Sequence, residues 1–531
     1  MTGAVHAVLD PGVLMIIVLA AVYGVFIGAI PGLTATMAVA LLVPVTFHLD
    51  PVHAIAAVVT LVACAIFAGD IPNTLLRIPG TPSSAAYTDD VHALVKRGLQ
   101  ERALGTCLVF SVAGGLVGAV VLMLFAQSLA RLAALFGTVE YFWLYLLGLG
   151  SAVAASRGSP LRAALGLILG LALSTVGLST AHGSERFTFG IAELYRGINF
   201  IPAMIGLFGL SEVLRNLLVL DRHPDGATAR GSPDQDGGKL GKGLGSVFGL
   251  ALSELWRRKR AALRSAGIGA SVGMLPGAGA DIAAWVSLGV SRRLSRDTHA
   301  GGGKCLSPEI AAPLSASRGT DPSQPPPDPL LEGVADATAA NNSALAGAWV
   351  PTLVFGIPGD SVTALVIGIL MMKDVMPGPD IFEREGGVLV YSVYLIFLLA
   401  NLVLLPVGFL AIKAGAALVR VPHRILLPII LLFCVMGAYA VNSSYFDIGV
   451  MLAMGLLGFV LDQWRIPLGP VVLGIVLGAP LEERFIGTLN ASEGSLLAFF
   501  ERPQSLALGV LCLALWLSPV ATAGWRRWRR A

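Results

Sequence analysis

Long apolar stretches separated by short polar turns run along nearly the whole chain. A helix needs about 20 apolar residues to cross a bilayer, and roughly ten to thirteen stretches approach that length. The pattern therefore predicts an all-α polytopic membrane protein with about 10–13 transmembrane or re-entrant helical segments.

Four of these apolar stretches are interrupted by a Pro-Gly pair where a helix should continue: Pro31-Gly32, Pro79-Gly80, Pro276-Gly277 and Pro358-Gly359. Proline removes a backbone N–H donor, and glycine permits backbone angles that a helix cannot use. In lipid, such a break is tolerated only where protein or a water-filled cavity surrounds it. One break alone could equally be a kink or a loop, but four in matching positions predict a binding site within the membrane.

The breaks divide the chain into two similar halves. Pro31 and Pro276 lie 245 positions apart, Pro79 and Pro358 lie 279 apart, and the difference of 34 is close to the length of a polar insertion in the second half. We therefore predict two structural repeats of inverted topology, as in many secondary transporters. The first half begins without Lys or Arg and the second begins strongly basic, which favours inverted topology. The basic C-terminus agrees with inverted topology only if one half has a span more or a span fewer than the other.

Polar and basic stretches mark the predicted divisions of the chain. Trp beside clustered Arg and Lys, at 256–260 and 525–530, indicates a cytoplasmic membrane edge. The divisions are a first membrane repeat (1–220), a polar linker (221–243), the start of the second repeat (244–290), an enlarged polar loop (291–330), the remainder of the second repeat (331–520) and a basic cytoplasmic tail (521–531).

Composition supports the membrane assignment and removes several function classes. The chain is 55% hydrophobic and 13% charged, whereas soluble domains are about a quarter charged. P-loop, HExxH and GxSxG motifs are absent, and the five cysteines have no CxxC spacing. We therefore expect no catalytic residues, no nucleic-acid partner and no cofactor other than a coupling ion.

The residues beside the breaks suggest how a ligand would be held. The second half of a broken helix begins with free N–H groups that attract anions, and small hydroxyls can add hydrogen bonds. This suits a small carboxylate that must be released again, although Ser and Thr in membrane helices mostly satisfy backbone groups. The candidate substrate-binding residues are Gly32, Thr34, Thr36, Gly80, Thr81, Ser83, Ser84, Gly277, Gly279, Gly359, Ser361 and Thr363, with Arg77 as either a ligand or a structural ion-pair partner.

Acidic and amide side chains near the breaks are candidates for ion coupling. A charge inside a bilayer is costly and is therefore functional by default, and carbonyl oxygens freed at a break could hold Na⁺. The candidates are Asp70, Asp281, Asn341, Asn342 and Asp360, with Na⁺ or H⁺ as the coupling ion and Na⁺ as the only metal expected.

Several motifs together resemble one family over nearly the full length. They are Gly28 to Met37 followed by Leu41 to Phe47, Ile78 to Pro82 with Asp89, Gly273 to Gly279, Glu332-Gly333-Val334, Ala340-Asn341-Asn342, Pro351-Thr352-Leu353 with Gly356 to Gly359, Pro377-Gly378-Pro379, Pro470 to Gly474, and Leu477-Gly478 to Glu482. On these residues the chain resembles the large permease subunit of the tripartite tricarboxylate transporters, the TctA family.

The resemblance implies a secondary active transporter in the bacterial inner membrane that imports a tricarboxylate, a dicarboxylate or a related acid. It implies a periplasmic solute-binding protein, a small membrane subunit and coupling to an ion gradient. The chain departs from the family pattern at Asp70, where a small residue is usual, at Asp90, where Gly usually follows Asp89, and at Ala337-Thr338, where Pro-Glu is usual; we hypothesise that Asp70 disfavours a trianion. An intramembrane enzyme acting on a carboxylated or lipid-linked substrate, or a passive anion channel, remains the alternative.

Overall fold

The computed structural model describes residues 2–156, 159–179, 183–222, 244–276, 279–299, 328–382, 386–418 and 423–528. The α-helices are α1 (Thr2–Val8), α2 (Pro11–Gly28), α3 (Ala35–Phe47), α4 (Pro51–Ala68), α5 (Asp70–Leu76), α6 (Thr88–Lys96), α7 (Gln100–Ala133), α8 (Thr138–Ala155), α9 (Pro160–Ser174), α10 (Phe200–Met204), α11 (Ser211–Arg222), α12 (Leu244–Arg257), α13 (Lys259–Gly273), α14 (Gly279–His299), α15 (Pro329–Phe355), α16 (Ser361–Met372), α17 (Gly386–Leu418), α18 (His423–Asn442), α19 (Tyr445–Gln463), α20 (Leu468–Ala491) and α21 (Pro503–Trp528).

Shorter elements connect some of these helices. Strands β1 (Gly177–Leu178) and β2 (Glu185–Arg186) pair antiparallel. Single 3₁₀ turns lie at Ser84–Ala86, Ala192–Arg196, Pro379–Phe382 and Leu496–Phe500, and a π-helical segment, Ile205–Leu210, joins α10 to α11.

The predicted all-α polytopic membrane protein is confirmed. Within the described residues, six helical stretches are long and apolar enough to cross a membrane: Pro11–Gly28, Pro51–Leu76, Gln100–Ala133, Phe200–Leu218, Gly387–Gly415 and Tyr445–Gln463. Further apolar helices of 10–17 residues accompany them, and α3 and α16 directly follow breaks.

Two helices cross the predicted divisions of the chain. Helix α14 continues to His299, into the loop predicted over 291–330, and α21 continues to Trp528, into the predicted tail. The predicted linker 221–243, from residue 223 onward, and residues 300–327 lie outside the described residues.

Helix α15 is the central element of the bundle. Every residue from Gly333 to Val354 is buried, as expected of a helix that is enclosed on all sides. Small residues allow its neighbours to approach closely. A Cβ atom at Gly114 of α7 would lie 2.1 Å from the Ala339 carbonyl oxygen, and one at Gly273 of α13 would lie 2.3 Å from that of Ala344.

The contacts between helices are reciprocal between the halves. Helix α2 packs on α4 and α13 packs on α15, while α7 packs on α15 and α17 packs on α4. Likewise α9 packs on α20, and α19 packs on the π-helical segment. Each contact made by a helix of the first half thus has an equivalent contact made by the corresponding helix of the second half. This agrees with two structural repeats.

The two broken hairpins pack on different helices, α2–α3 on α4 and α13–α14 on α15. Lys373, beyond α16, donates from Nζ to the Phe47 carbonyl oxygen at the end of α3 (2.6 Å). Arg292 of α14 instead pairs with Asp90 of α6 (2.8 Å), near the start of α15. This is the arrangement that inverted topology predicts.

Candidate functional site

One cavity of about 460 Å³ lies where the broken helices meet. Each break contributes described residues to its wall: Thr34 from the first, Gly80 from the second, Gly279 from the third and Asp360 from the fourth. Segments separated by more than 300 positions in the chain therefore meet at one site.

The first and fourth breaks touch through their hydroxyl groups. Thr34 caps α3 by accepting a hydrogen bond from the Met37 N–H, and two residues later Thr36 Oγ1 lies 2.9 Å from Ser361 Oγ. Either hydroxyl can donate the hydrogen bond in this pair. The hydroxyl that accepts it keeps its own hydrogen, which can donate to a third group.

Asp360 has a structural role at the start of α16. Its carboxylate accepts a hydrogen bond from the Thr363 N–H (2.8 Å), and its own N–H donates to Thr363 Oγ1 (2.9 Å). This reciprocal capping satisfies two of the N–H groups that a helix start leaves free. Thr363 is therefore occupied by the cap and does not line the cavity.

The second break forms a compact hydroxyl cluster. Thr81 Oγ1 lies 2.9 Å from Ser83 Oγ, which also accepts a hydrogen bond from Asn341 Nδ2 of α15 (2.9 Å). Ser84 donates to the Thr81 carbonyl oxygen (2.9 Å) and holds this loop together behind the cavity wall. The loop thus presents Thr81 and Ser83 to the cavity beside Asn341.

The third break is held between α8 and the fourth break. Ser151 of α8 donates to the Pro276 carbonyl oxygen (2.6 Å). Gly279 has φ +57°, in the left-handed region that favours glycine, and a Cβ there would lie 3.1 Å from Cβ of Asp360. Gly277 and the Asp281 side chain lie outside the described residues.

The electrostatic character of the cavity comes from helix ends and hydroxyls. Helices α3, α14 and α16 all begin at its wall, and a helix start carries partial positive charge. None of the described lining residues is Lys, Arg or His. The acids Asp360 and Glu212 also line it, the first engaged in its cap and the second paired with Arg215. No group of three His, Cys, Asp or Glu side chains suited to a metal ion occurs in the described part of the chain.

Other candidate residues lie near the breaks but away from the cavity wall. Arg77 is more than half exposed and pairs with Asp89 (2.9 Å). Asn342 donates to the Ser111 carbonyl oxygen (3.0 Å) and to Asn401 Oδ1 (3.1 Å). Both side chains are thus engaged with other parts of the protein.

Two candidate glycines and one candidate acid have packing contacts instead. A Cβ on Gly32 would lie 2.9 Å from Asn216 Oδ1, and one on Gly359 would lie 2.7 Å from Cβ of Ala348. Asp70 is buried and accepts a hydrogen bond from the Tyr87 hydroxyl (2.5 Å). These positions support the loops that line the cavity.

Part of the cavity wall comes from helices that carry no Pro-Gly break. These lining residues are Ala152, Ser156, Phe208, Ser211, Glu212, Pro467, Leu468, Gly469, Pro470, Val472 and Leu473. Sequence reasoning missed them because their helices read as uninterrupted spans. In the structure, the π-helical segment at Ile205–Leu210 marks this part of the wall, since π-helical turns often occur at functional sites, but the residue pattern gives no signal for it.

The sequence model of the tripartite tricarboxylate transporter TctA family matches residues 14–473. The chain belongs to this family. A protein of Agrobacterium vitis described as an uncharacterized 52.8 kDa protein in the TAR-I ttuC' 3' region is 31% identical over 501 residues, which cover 93% of this chain and 91% of the relative. A second Agrobacterium vitis protein, from the TAR-II ttuC' 3' region, is 30% identical over 254 residues, 47% of this chain and 94% of the relative. No solved structure gives a significant match.

Membership of the TctA family makes this chain a component of a tripartite tricarboxylate transporter and a multi-pass membrane protein. The four converging breaks are thus part of a transporter rather than an isolated packing feature.

Proposed function

We propose that this chain is the large membrane subunit of a secondary active transporter that imports a small organic carboxylate. The observation that supports this most strongly is the convergence of all four breaks, two from each half, on one cavity. A cavity of about 460 Å³ falls within the size range of small-molecule sites.

The chemistry of the wall suits an anion that binds and leaves. Thr36 with Ser361, and Thr81 with Ser83, form two hydroxyl pairs, each of which can direct a spare hydrogen at a carboxylate. The starts of α3, α14 and α16 add N–H dipoles without a fixed positive charge. Because the described wall lacks Lys and Arg, binding is moderate and release is not opposed by a strong ion pair.

The cavity extends toward one side of the membrane. Its wall includes Ser156, at the end of α8, and Pro467, at the start of α20. Helix α7 is 34 residues long, about 50 Å, which is enough to cross the bilayer, and we infer that α8, with 18 residues, crosses back. The end of α8 therefore shares a side with Arg97 and Arg258, which the positive-inside rule assigns to the cytoplasm. We take the structure as the inward-facing state.

The remaining features of the proposal rest on the family. A periplasmic binding protein delivers the carboxylate, a small membrane subunit completes the transporter, and a gradient of Na⁺ or H⁺ drives uptake across the bacterial inner membrane. Asn341 Oδ1 is buried at the site without a hydrogen-bond donor among the described residues, so it is free to accept from water or a cation.

The alternatives have less support. An intramembrane enzyme would need a free acid or base at the cavity, but Asp360 caps α16 and Glu212 is paired with Arg215. A passive channel would need no binding protein and no gradient. Uptake that is independent of both would favour the channel.

The test is uptake of radiolabelled di- and tricarboxylates by proteoliposomes containing both membrane subunits and supplied with the binding protein. Thr36→Val and Ser361→Ala should each weaken apparent affinity about two- to tenfold, the value of one hydrogen bond. Ser128→Ala, at an exposed site on α7, is the matched control and should change nothing. Equal uptake by all variants would contradict the proposed site.

A further inference from the structure

Asp70 is a buried acid without a positively charged partner. Only 2% of its surface is exposed, and no basic side chain of the described residues lies within the 4 Å of an ion pair. Two other buried acids of the bundle differ in this respect. Asp336 pairs with Arg264 (2.7 Å), and Asp90 pairs with Arg292 (2.8 Å).

The groups that face the Asp70 carboxyl are neutral. Tyr87, which follows the turn Ser84–Ala86 and precedes α6, donates its hydroxyl to Oδ1 (2.5 Å). The buried thiol of Cys107 on α7 is a further neutral neighbour of this carboxyl. In the described parts of α4, α6, α7 and α17, which also pack on α5, no charged side chain faces this carboxyl. An ionised Asp70 is therefore stabilised by the hydrogen bond from Tyr87 and by no opposite charge.

Asp70 lies directly behind the second break. The Gly80 N–H donates to the carbonyl oxygen of Gly69 (3.2 Å), the residue before Asp70, and Tyr87 binds Asp70 itself. Asn73, one turn along α5, donates to the Ser84 carbonyl oxygen (3.2 Å). The segment 80–87 is thus fastened at both ends and its middle to Gly69–Asn73, and its Thr81 and Ser83 line the cavity.

This placement links the charge of Asp70 to the charge of the cavity. Asp70 and an anion held by Thr81 and Ser83 lie on opposite sides of the segment 80–87. Because both charges are negative, the bound anion raises the free energy of the ionised form of Asp70. By linkage, a protonated Asp70 favours the bound anion to the same degree.

On the basis of the proposed function, we propose that Asp70 carries the proton that is co-transported with the carboxylate. A proton from periplasmic water bonds to the Asp70 carboxylate when the anion occupies the cavity, while Tyr87 keeps its own hydroxyl hydrogen. Both the proton and the anion leave to the cytoplasm. The coupling ion of this chain is then H⁺ rather than Na⁺, and Asp70 acts on the site through the loop 80–87 without touching the substrate.

The experiment uses the complete transporter in proteoliposomes, with binding protein outside and the membrane potential clamped. The wild-type complex should accumulate substrate under an inside-alkaline gradient, and one coupled proton supports about a tenfold concentration ratio per pH unit. Asp70→Asn keeps the size and the acceptor for Tyr87 but cannot take up a proton. It should lose this accumulation while retaining exchange of labelled for unlabelled substrate.

A second variant and a second measurement guard against misfolding. Tyr87→Phe removes one donor to the carboxylate and should move the fall in substrate affinity to higher pH, with exchange retained. Infrared difference spectra between acidic and alkaline pH should show a carboxyl band that Asp70→Asn lacks. The absence of such a band in the wild type would overturn the proposal.

The transport outcomes separate the two proposals. Two outcomes would overturn the role of Asp70 and leave the proposed function intact. One is that Asp70→Asn accumulates as much substrate as the wild type, and the other is that a Na⁺ gradient alone drives accumulation by the wild type. No carboxylate uptake by the wild-type complex under any gradient would overturn the proposed function itself, and the coupling role with it.

Discussion

Replacing Gly80 by alanine should displace the second break from the cavity. A Cβ on Gly80 would lie 2.5 Å from the Gly69 Cα and 2.7 Å from the Gly69 carbonyl oxygen. These distances fall about 1 Å short of an ordinary contact, and both opposing atoms are backbone, so no side chain can swing aside. The loop that carries Thr81 and Ser83 must therefore move by about that distance.

The displacement should weaken substrate binding more than folding. Overpacking costs roughly 1–3 kcal/mol of stability, which a large bundle tolerates. A shift of about 1 Å breaks one or two hydrogen bonds from the loop to the ligand, at about 0.5–1.5 kcal/mol each. We expect the dissociation constant to rise about tenfold, measured by isothermal titration of the purified transporter with its substrate.

Gly289→Ala is the matched control for this change. Gly289 lies within α14 and has nothing within 4 Å of its added Cβ. The control variant should bind as tightly as the wild type and gain slightly in melting temperature, since alanine favours a helix. Unchanged affinity in Gly80→Ala would refute the reasoning that the second break forms the cavity wall.

Three further predictions test separate parts of the structure. Combining Thr36→Val with Ser361→Ala should cost less substrate affinity than the two single changes added together, because the hydroxyls bond each other (2.9 Å); strict additivity in a double-mutant cycle would contradict this. Arg77→Ala should leave substrate affinity within about twofold, since its pair with Asp89 is exposed and such pairs contribute little; a large loss of uptake would return Arg77 to the site. Gly114→Ala should lower the melting temperature clearly, because its Cβ would lie 2.1 Å from a backbone oxygen of α15, and a melting curve like that of the wild type would refute this packing.

The fold was largely predictable because membrane spans leave a strong sequence signal. A helix in lipid must be apolar over most of its length, so the long apolar stretches of the sequence predict helices, and the structure has helices there. The breaks were equally visible, since proline and glycine are rarely used together inside a span. The repeat predicted that the four breaks lie together, and the structure places them at one cavity.

The orientation of individual side chains could not be predicted. Arg77 is adjacent to the second break, yet its left-handed backbone (φ 56°) ends α5 and the side chain is directed to Asp89. Asp360 was an ion-coupling candidate, and its side chain caps α16 in the structure. Such outcomes depend on local hydrogen bonding, which spacing does not encode. Whether these groups also contact substrate or ion stays a prediction.

The central claim is that one carboxylate contacts all four breaks at the same time. Single cysteines at Thr36, Thr81, Ile282 and Ser361, each lining the cavity, should be alkylated by a small thiol reagent from the cytoplasmic side. The account predicts that the transported carboxylate protects all four, each half-protected at the same concentration, while a cysteine at the exposed Ser159, beside the end of α8, stays reactive. Protection at only one break, or at none, would contradict it.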